Sequence, residues 1–444
     1  MRSIWDEELE CLSAGALTRL ESERLREQLV YNYATSSFYR ARFEAAQVRP
    51  EQIKCREDLA RLPFLEKSEL AASQTDGSLI GVNQCAALED IVRIQATGGT
   101  TGRPMRIAMT RRDIADYSEM GARALWATGC RPDDIVFECM NYNLYAGGLS
   151  DHMAFETLGA ATIPYGVGNT RNLLEMMMQI DHEIAIWSTP SYAVRLAEVA
   201  AEMGINPRDV GLRKGFFSGE AGMQVAGYRE RIEDTWGLHA GDLYGTGELG
   251  MHCGECEQRS GVHYGANGYV LTEFINPETT ETIAFADGAI GEFVYTSIHR
   301  EASPLLRMRS HDLMQVFTDA CACGRTTFRF RILGRSDDMF IVKGVNVFPL
   351  AVQATIARGQ PLLTGEFQII LDRPLPIDYA PRICVEVARD VPADRHAEIR
   401  ASTQAAIARE HNFTSRVELV DQGTIATEKK TRRLIRAYLE DTES

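Results

Sequence analysis

The chain has 444 residues, 25% of them charged, with 47 Lys and Arg against 62 Asp and Glu and a formal charge of −15. That length predicts two or three domains of roughly 100–200 residues each. The acidic balance excludes wholesale nucleic-acid binding, which relies on clustered positive charge.

Up to residue 85 the sequence reads as helical, with LTRLESERLREQLVYNYA spacing its apolar side chains at helical intervals. The opening MRSIWDEELECL places acids where a signal peptide would be basic and then apolar. No segment approaches the ~20 unbroken apolar residues of a membrane helix. A cytoplasmic protein with no membrane or nucleic-acid partner is therefore expected. From Ile91 to Gly334, short β-branched runs (VRIQAT, DIVFECM, ATIPYG, EIAIWST) alternate with helical ones (RDIADYSEMGARALWAT, SYAVRLAEVAAEMG), the pattern of an α/β domain with much parallel pairing. A more β-rich stretch near Gly268–Ser297 follows, with YVLTEFI and GEFVYTSI flanking a turn at NPETTE. After Arg335 the character changes: FQIILD, RICVEVA and RVELVD read as strands, VQATIARG and HAEIRASTQAAIAREHN as helices. The fold class is accordingly α/β, with a large domain over 1–334, a small α+β domain over 335–444 and a boundary at Gly334–Asp338.

The sharpest local signal is Gln95-Ala-Thr-Gly-Gly-Thr-Thr-Gly-Arg-Pro104, directly after the predicted strand IVRI. Glycines let a backbone pass close to a phosphate chain and donate its N–H groups, and the hydroxyls and Arg103 add donors. No Gly-Lys-Ser/Thr follows at P-loop spacing. The plain alternative is a turn between a strand and a helix beginning near Arg111.

Three further segments matter by their order. Tyr244-Gly-Thr-Gly-Glu248 offers a ring that can stack on a purine and a carboxylate that can hold Mg²⁺. Gly291–Ile298 leads to Pro304-Leu-Leu-Arg-Met-Arg-Ser-His-Asp312, where an acid can accept both ribose hydroxyls. Gly334-Arg-Ser-Asp-Asp-Met-Phe-Ile-Val-Lys-Gly-Val-Asn-Val-Phe-Pro349 closes the set at the domain boundary.

In this order the motifs resemble the adenylate-forming enzymes, and GRSDDMFIVKGVNVFP with the short glycine-rich loop resembles the phenylacetate–CoA ligase branch. The resemblance runs from Thr97 to the C-terminal lysines and implies a multi-sheet large domain, a mobile small domain, and a set of site residues. Thr97, Gly98, Gly99, Thr100, Thr101, Gly102 and Arg103 would wrap the ATP phosphates. Ser218, Gly219 and Glu220 would lie beside the adenine, Tyr244 would stack on it, and Gly245 and Thr246 would belong to the same ATP/AMP-binding set. Glu248 would bind Mg²⁺. Asp312 and Arg335 would hold the ribose, Asp337 would be the hinge, and Lys430 in Glu-Lys-Lys-Thr-Arg-Arg433 the mobile catalytic lysine, with Lys429 as its rival. A carboxylate attacking the α-phosphate builds up negative charge that cations and aligned amides stabilise. Three departures from the family pattern stand out: Gly99 where Ser is common, Arg103 where Lys is common, and Gly247 where a hydroxyl residue usually precedes the acid, which removes a possible phosphate donor.

The implied activity is ATP-dependent aryl-acid–CoA ligation through an acyl-adenylate, with ATP, Mg²⁺ and coenzyme A. The alternatives are loading of an aryl acid onto a carrier protein, or a non-catalytic nucleotide-binding relative. Free CoA is favoured because no carrier segment follows the small domain. The expected partners are a small carboxylic acid, ATP and CoA, and a homodimer is left open as the assembly. The Asn141–Gly148 segment precedes a helix expected near Ser150, and Tyr142, Tyr145, Gly148 and Phe217 are the candidate walls of a flat aromatic slot, with ordinary core packing as the rival role for each.

Ten cysteines in one such chain point to thiols and a metal rather than a disulfide scaffold. On spacing alone, Cys253, Cys256, Cys321 and Cys323 form a tetrahedral set for structural zinc. The resemblance instead implies Cys256, His263, Cys321 and Cys323, with Cys253 spare.

Overall fold

The computed structural model describes residues 3–74, 79–97, 104–225, 227–336, 338–343, 345–374, 376–425 and 433–440. In chain order the strands are β1 (Arg93–Ala96), β2 (Arg106–Met109), β3 (Ile135–Glu138), β4 (Ala161–Ile163), β5 (Ile184–Ser188), β6 (Leu212–Phe217), β7 (His239–Thr246), β8 (Gly250–Glu255), β9 (Val262–Tyr264), β10 (Val270–Ile275), β11 (Ile290–Ser297), β12 (Met308–Phe317) and β13 (Arg329–Arg335) in the large domain. The hairpin β14 (Phe340–Val342) and β15 (Val345–Val347) follows the boundary. The small domain then adds β16 (Leu363–Leu371), β17 (Arg382–Val387), β18 (Arg416–Asp421) and β19 (Leu434–Arg436).

Among the described residues one eleven-stranded sheet dominates, in the order β10-β11-β12-β13-β9-β8-β7-β6-β5-β3-β4. The pairs from β4 to β7 are parallel, and those from β7 through β8, β9, β13, β12 and β11 to β10 are antiparallel. The parallel half fits the strand–helix alternation of the sequence, because parallel neighbours need crossover helices such as Ala146–Leu158 between β3 and β4 and Pro190–Glu202 between β5 and β6. The helix Arg111–Ala127, which leads from β2 into β3, starts at a capping box in which Thr110 Oγ1 accepts from Asp113 N at 3.2 Å and Asp113 accepts from Thr110 N at 3.0 Å.

Burial holds the layers together. Leu25, Leu29, Tyr39 and Phe43 from the N-terminal helices share one core with Phe274, Phe293 and Phe330 of the antiparallel half. Phe137, Ile186 and Phe217 pack with Leu196 and Trp236 on one face of the parallel half, and Trp126, Phe155, Trp187 and Phe216 on the other. The small domain has a core of its own around Val352, Ile369, Val385 and Ile407. No described helix is long and apolar enough to cross a membrane.

The structure departs from the sequence expectation in four places. The glycine-rich loop joins β1 to β2, an antiparallel pair with Gln95 opposite Ile107, so the Arg111 helix begins only after a second strand. That four-residue strand, RIAM, is too short to show a period-2 pattern. The helix expected near Ser150 begins at Ala146, with Tyr145 as its N-cap. Strand β7 runs through Tyr244-Gly-Thr itself, and the turn after it leads into another strand, β8, rather than into a helix. Finally, β8 and β9 fell outside the stretch read as β-rich.

Candidate active site

In open α/β sheets the carboxyl ends of parallel strands are where ligands bind. Four site segments begin there: Asn141–Gly148 just after β3, Thr189–Ser191 after β5, Ser218–Glu220 after β6, and Tyr244–Glu248 at the end of β7. Register places these ends side by side, with Glu138 opposite Trp187, Ser188 opposite Phe217, and Phe217 opposite Asp242.

Thr97 is the described residue of the glycine-rich loop; Gly98, Gly99, Thr100, Thr101, Gly102 and Arg103 lie outside the described residues, as do Asp337, Lys429 and Lys430. Thr97 N donates to Met105 O at 2.9 Å, which extends the hairpin to the loop's edge. Its Oγ1 is buried with no hydrogen-bond partner among the described residues, at the place assigned to phosphate. Gly247 faces it: a Cβ there would stand 2.8 Å from Thr97 Cγ2 and 3.1 Å from its Cα. The glycine that departs from the family pattern is therefore required by the approach of Thr97.

On the other side, Ala96 N donates to Leu144 O at 2.6 Å and Ser150 Oγ to Gln95 Oε1 at 2.8 Å. The strand carrying the loop thus touches both the Glu248 turn and the segment assigned to the acid. In that segment Tyr142 is half-buried and Tyr145 is exposed. Phe217 is fully buried in the core, and a Cβ on Gly148 would land 2.6 Å from Asn141 O, so this glycine serves close backbone packing. Sequence reasoning passed over the polar floor beneath Tyr142. The Tyr142 hydroxyl donates to the buried Glu138 carboxyl and lies 3.0 Å from His152 Nδ1, which is 3.1 Å from Glu138 Oε2. Burial pushes the Glu138 carboxyl up to about 9. An acid closing a β-branched run was the available signal.

The nucleotide-assigned residues are tied to one another. Asp312 Oδ1 accepts from Arg335 Nη1 at 3.0 Å and Oδ2 from Tyr244 Oη at 2.7 Å. Asp312 and Arg335 are direct partners across β12 and β13, and His311 before Asp312 takes φ +57, where non-glycine residues are rare. The Tyr244 ring is 8% exposed, with the edges of Phe330 and His252 against it at 5.4 and 5.5 Å between centroids. Its hydroxyl is thus engaged by Asp312, and its ring by these neighbours. Gly245 is needed because a Cβ would meet Gly250 O at 2.5 Å, and Thr246 Oγ1 accepts from Leu249 N at 3.2 Å to close the turn.

Glu248 is buried, and its carboxylate pairs with Lys67 Nζ at 2.8 Å. Its carbonyl accepts from Tyr117 Oη and from Arg300 Nη1, the latter at 2.8 Å. Lys67, in the helix Lys67–Ser73, is a site residue that the sequence reading missed, since nothing in EKSEL sets it apart from a solvated helix face. Ser218 N donates to Ser188 O at 3.3 Å. Glu220, after Gly219 at φ +84, accepts from Ser191 Oγ at 2.8 Å and Ser191 N at 3.2 Å. It sits at the N-terminus of the Pro190–Glu202 helix, where a negative charge is favoured; burial raises its carboxyl and the Ser191 bond opposes that.

The metal set lies apart, beside β9. Cys256 follows β8, His263 is in β9, and Cys321 and Cys323 lie between β12 and β13; their ligand atoms all fall within 4.8 Å of one another. Cys256 Sγ to Cys321 Sγ is 3.6 Å and Cys323 Sγ to His263 Nε2 is 3.4 Å. Thiolates at ~2.3 Å from a tetrahedral zinc stand ~3.8 Å apart, so the spacing suits that ion. Cys253 is fully buried opposite Tyr264 and is not in the cluster, which excludes the four-cysteine set. The neighbouring Cys256 thiol, and after it His263, hold the Cys323 thiol below its ordinary value.

Residues 344–437 match the AMP-binding enzyme C-terminal domain. The chain is similar to a phenylacetate–coenzyme A ligase of Thermus thermophilus, 34% identical over 87% of this chain and 84% of that one. Among solved structures it resembles 2-hydroxyisobutyryl-CoA ligase in the postadenylation state with 2-HIB-AMP, at TM-score 0.90 and 29% identity, covering 100% of this chain and 95% of that one. The same ligase in the thioesterification state, with 2-HIB-AMP and CoA, gives TM-score 0.72 at 30% identity, covering 100% and 94%. With that identity sustained across nearly its whole length, the chain belongs to the phenylacetate–CoA ligase branch of the adenylate-forming enzymes.

Proposed function

We propose that this chain is an AMP-forming aryl-acid–CoA ligase, activating a benzoate- or phenylacetate-type acid with ATP and passing the acyl group to coenzyme A. The observation that carries the reading is the double contact of the strand before the glycine-rich loop: Ala96 bonds Leu144 in the acid-assigned segment, while Thr97 packs on Gly247 beside Glu248. Phosphates, Mg²⁺ and the acid's carboxylate would meet at that point, where aligned donors and cations stabilise the charge that develops on the α-phosphate. Thr97 to Arg103 would bind the phosphates, Glu248 the Mg²⁺ in exchange for Lys67, and Asp312 with Arg335 the ribose. Lys430 would act in the first half-reaction, and Asp337 would be the hinge on which the small domain turns for the second.

The Cys256, His263, Cys321 and Cys323 set would hold one structural zinc, with four protein donors and no position left for catalysis. Pyrophosphate release with a panel of aromatic, aliphatic and amino acids, with and without CoA, tests the activity. Release with aromatic acids and thioester formation with free CoA are expected. A clear preference for a long-chain fatty acid, or no thioester with CoA, would overturn the substrate or the acceptor respectively.

A further inference from the structure

The large and small domains meet at an irregularity in β16. Its pairing with β17 runs from Leu363 opposite Val387 to Phe367 opposite Val385, so Thr364, Gly365 and Glu366 bulge out of the ladder. Gly365 takes φ +95, a conformation other residues rarely adopt. A bulge re-aims the groups it carries. Here the Thr364 carbonyl accepts from Arg231 Nη1 of the large-domain helix Tyr228–Trp236 at 3.3 Å. Glu366 takes both arms of Arg433, at 2.7 and 3.3 Å, and that guanidinium also donates to Phe367 O at 3.1 Å and lies 5.0 Å from the Phe367 ring centre. Arg433 O in turn accepts from Ile369 N at 2.7 Å, which pins the residue to β16. The charges of Arg433 and Glu366 act on Glu220 and Tyr228 across the boundary. A second cross-domain bond joins Gln422 Nε2 to Glu198 Oε1 at 2.9 Å.

These contacts belong to the domain arrangement that matches the postadenylation structure of the related ligase better than its thioesterification structure. In the sequence Arg433 stands three positions after Lys430. We infer that the Thr364–Glu366 bulge, Arg433 and Arg231 form a docking contact that seats the small domain for adenylate formation and must part before thioester formation. The inference rests on the ligase reading above. Its members are positioning residues; none is needed to touch the reacting atoms.

The test uses the full chain with Arg433→Gln and Arg231→Met. The second variant leaves the Glu366–Arg433 pair intact, so its effect is not a folding defect of the small domain. Acid-dependent ATP–pyrophosphate exchange should fall about tenfold, the effect of losing one charge-assisted contact. Thioester formation from supplied acyl-adenylate should stay within about twofold. Equal loss in both steps, or unchanged exchange in both variants, overturns the inference. Small-angle scattering without substrate gives an answer independent of activity. Both variants should move away from the profile of this arrangement and the wild type should not; identical profiles overturn the docking contact. A wild-type chain that exchanges with no acid would defeat the ligase reading and leave scattering to decide the contact.

Discussion

Replacing Tyr244 by Phe removes one hydroxyl and keeps the ring, which separates two roles for this residue. The hydroxyl donates to Asp312 Oδ2 at 2.7 Å, and a hydrogen bond to a carboxylate contributes roughly 1.5–3 kcal/mol. Asp312 keeps Arg335 on its other oxygen, and its side chain is 14% exposed, so water can replace part of the loss. The lower bound, ~1.5 kcal/mol, applies and corresponds to about tenfold. On the ribose-binding role proposed for Asp312, the contact would be made alike in ground and transition states, so the change should appear as about a tenfold rise in KM for ATP with kcat nearly constant. Tyr244→Leu should add a lower melting temperature, because the ring packs against Phe330 and His252. Steady-state kinetics with varied ATP, with a melting curve on each variant, decides the matter. An unchanged KM in the Phe variant beside a large rise in the Leu variant would refute the argument and return Tyr244 to purine stacking.

Purified protein should contain about one zinc per chain by elemental analysis, and Cys321→Ser should lower metal content and melting temperature together, because ligand binding energy is folding energy at such a site. Cys253→Ser should keep its zinc; loss of the metal there would reinstate the cysteine-only set. Gly247→Ser should impair ATP binding even though it restores the family's hydroxyl, since its Cβ meets Thr97 at 2.8 Å; wild-type KM for ATP would show that the loop yields. Burial pushes the Asp242 carboxyl up to about 7 from 3.8, opposed by the Gln224 bond. A raised carboxyl pKa means the folded state binds the extra proton, so this stability is full below about pH 4 and is lost as pH rises to about 7, up to about 4 kcal/mol in all. Asp242→Asn should flatten that part of the melting-temperature profile, and an unchanged profile would remove Asp242 as its source.

The two domains, the parallel half of the sheet and the ordered motifs were legible because each depends on local pattern: β-branched runs, helical spacing, glycines and acids at fixed offsets. Less local features were not. β8 and β9 are short, and all their residues are buried on both faces, which removes the alternation that marks a half-exposed strand. Lys67 meets Glu248 from far along the chain, and no spacing rule links them. Gly247 looked like a lost phosphate donor until Thr97 was seen against it. Phe217 and Gly148 carry residue types that suit a pocket wall as well as a packed core, and burial alone separates the two uses.

The metal cluster also bears on how the large domain is put together. Within the antiparallel half a short seam joins β8 and β9 to β13 and the strands beyond it: β9 pairs with β13 through Val262 with Phe330 and His263 with Arg329, extended by Tyr264 N donating to Phe328 O at 3.1 Å. Cys256 and His263 stand on one side of that seam, Cys321 and Cys323 on the other, and the chain between Cys256 and Cys321 spans 65 positions. During synthesis the parallel half can form first, whereas the seam must wait until β13 has left the ribosome. Until then β9 is an open edge, the kind that recruits other strands. The zinc proposed for this set would clip both sides and close a long loop whose entropy these few backbone pairings would otherwise have to offset. Metal supply during translation would then govern how much chain reaches the native sheet rather than how fast the finished enzyme turns over.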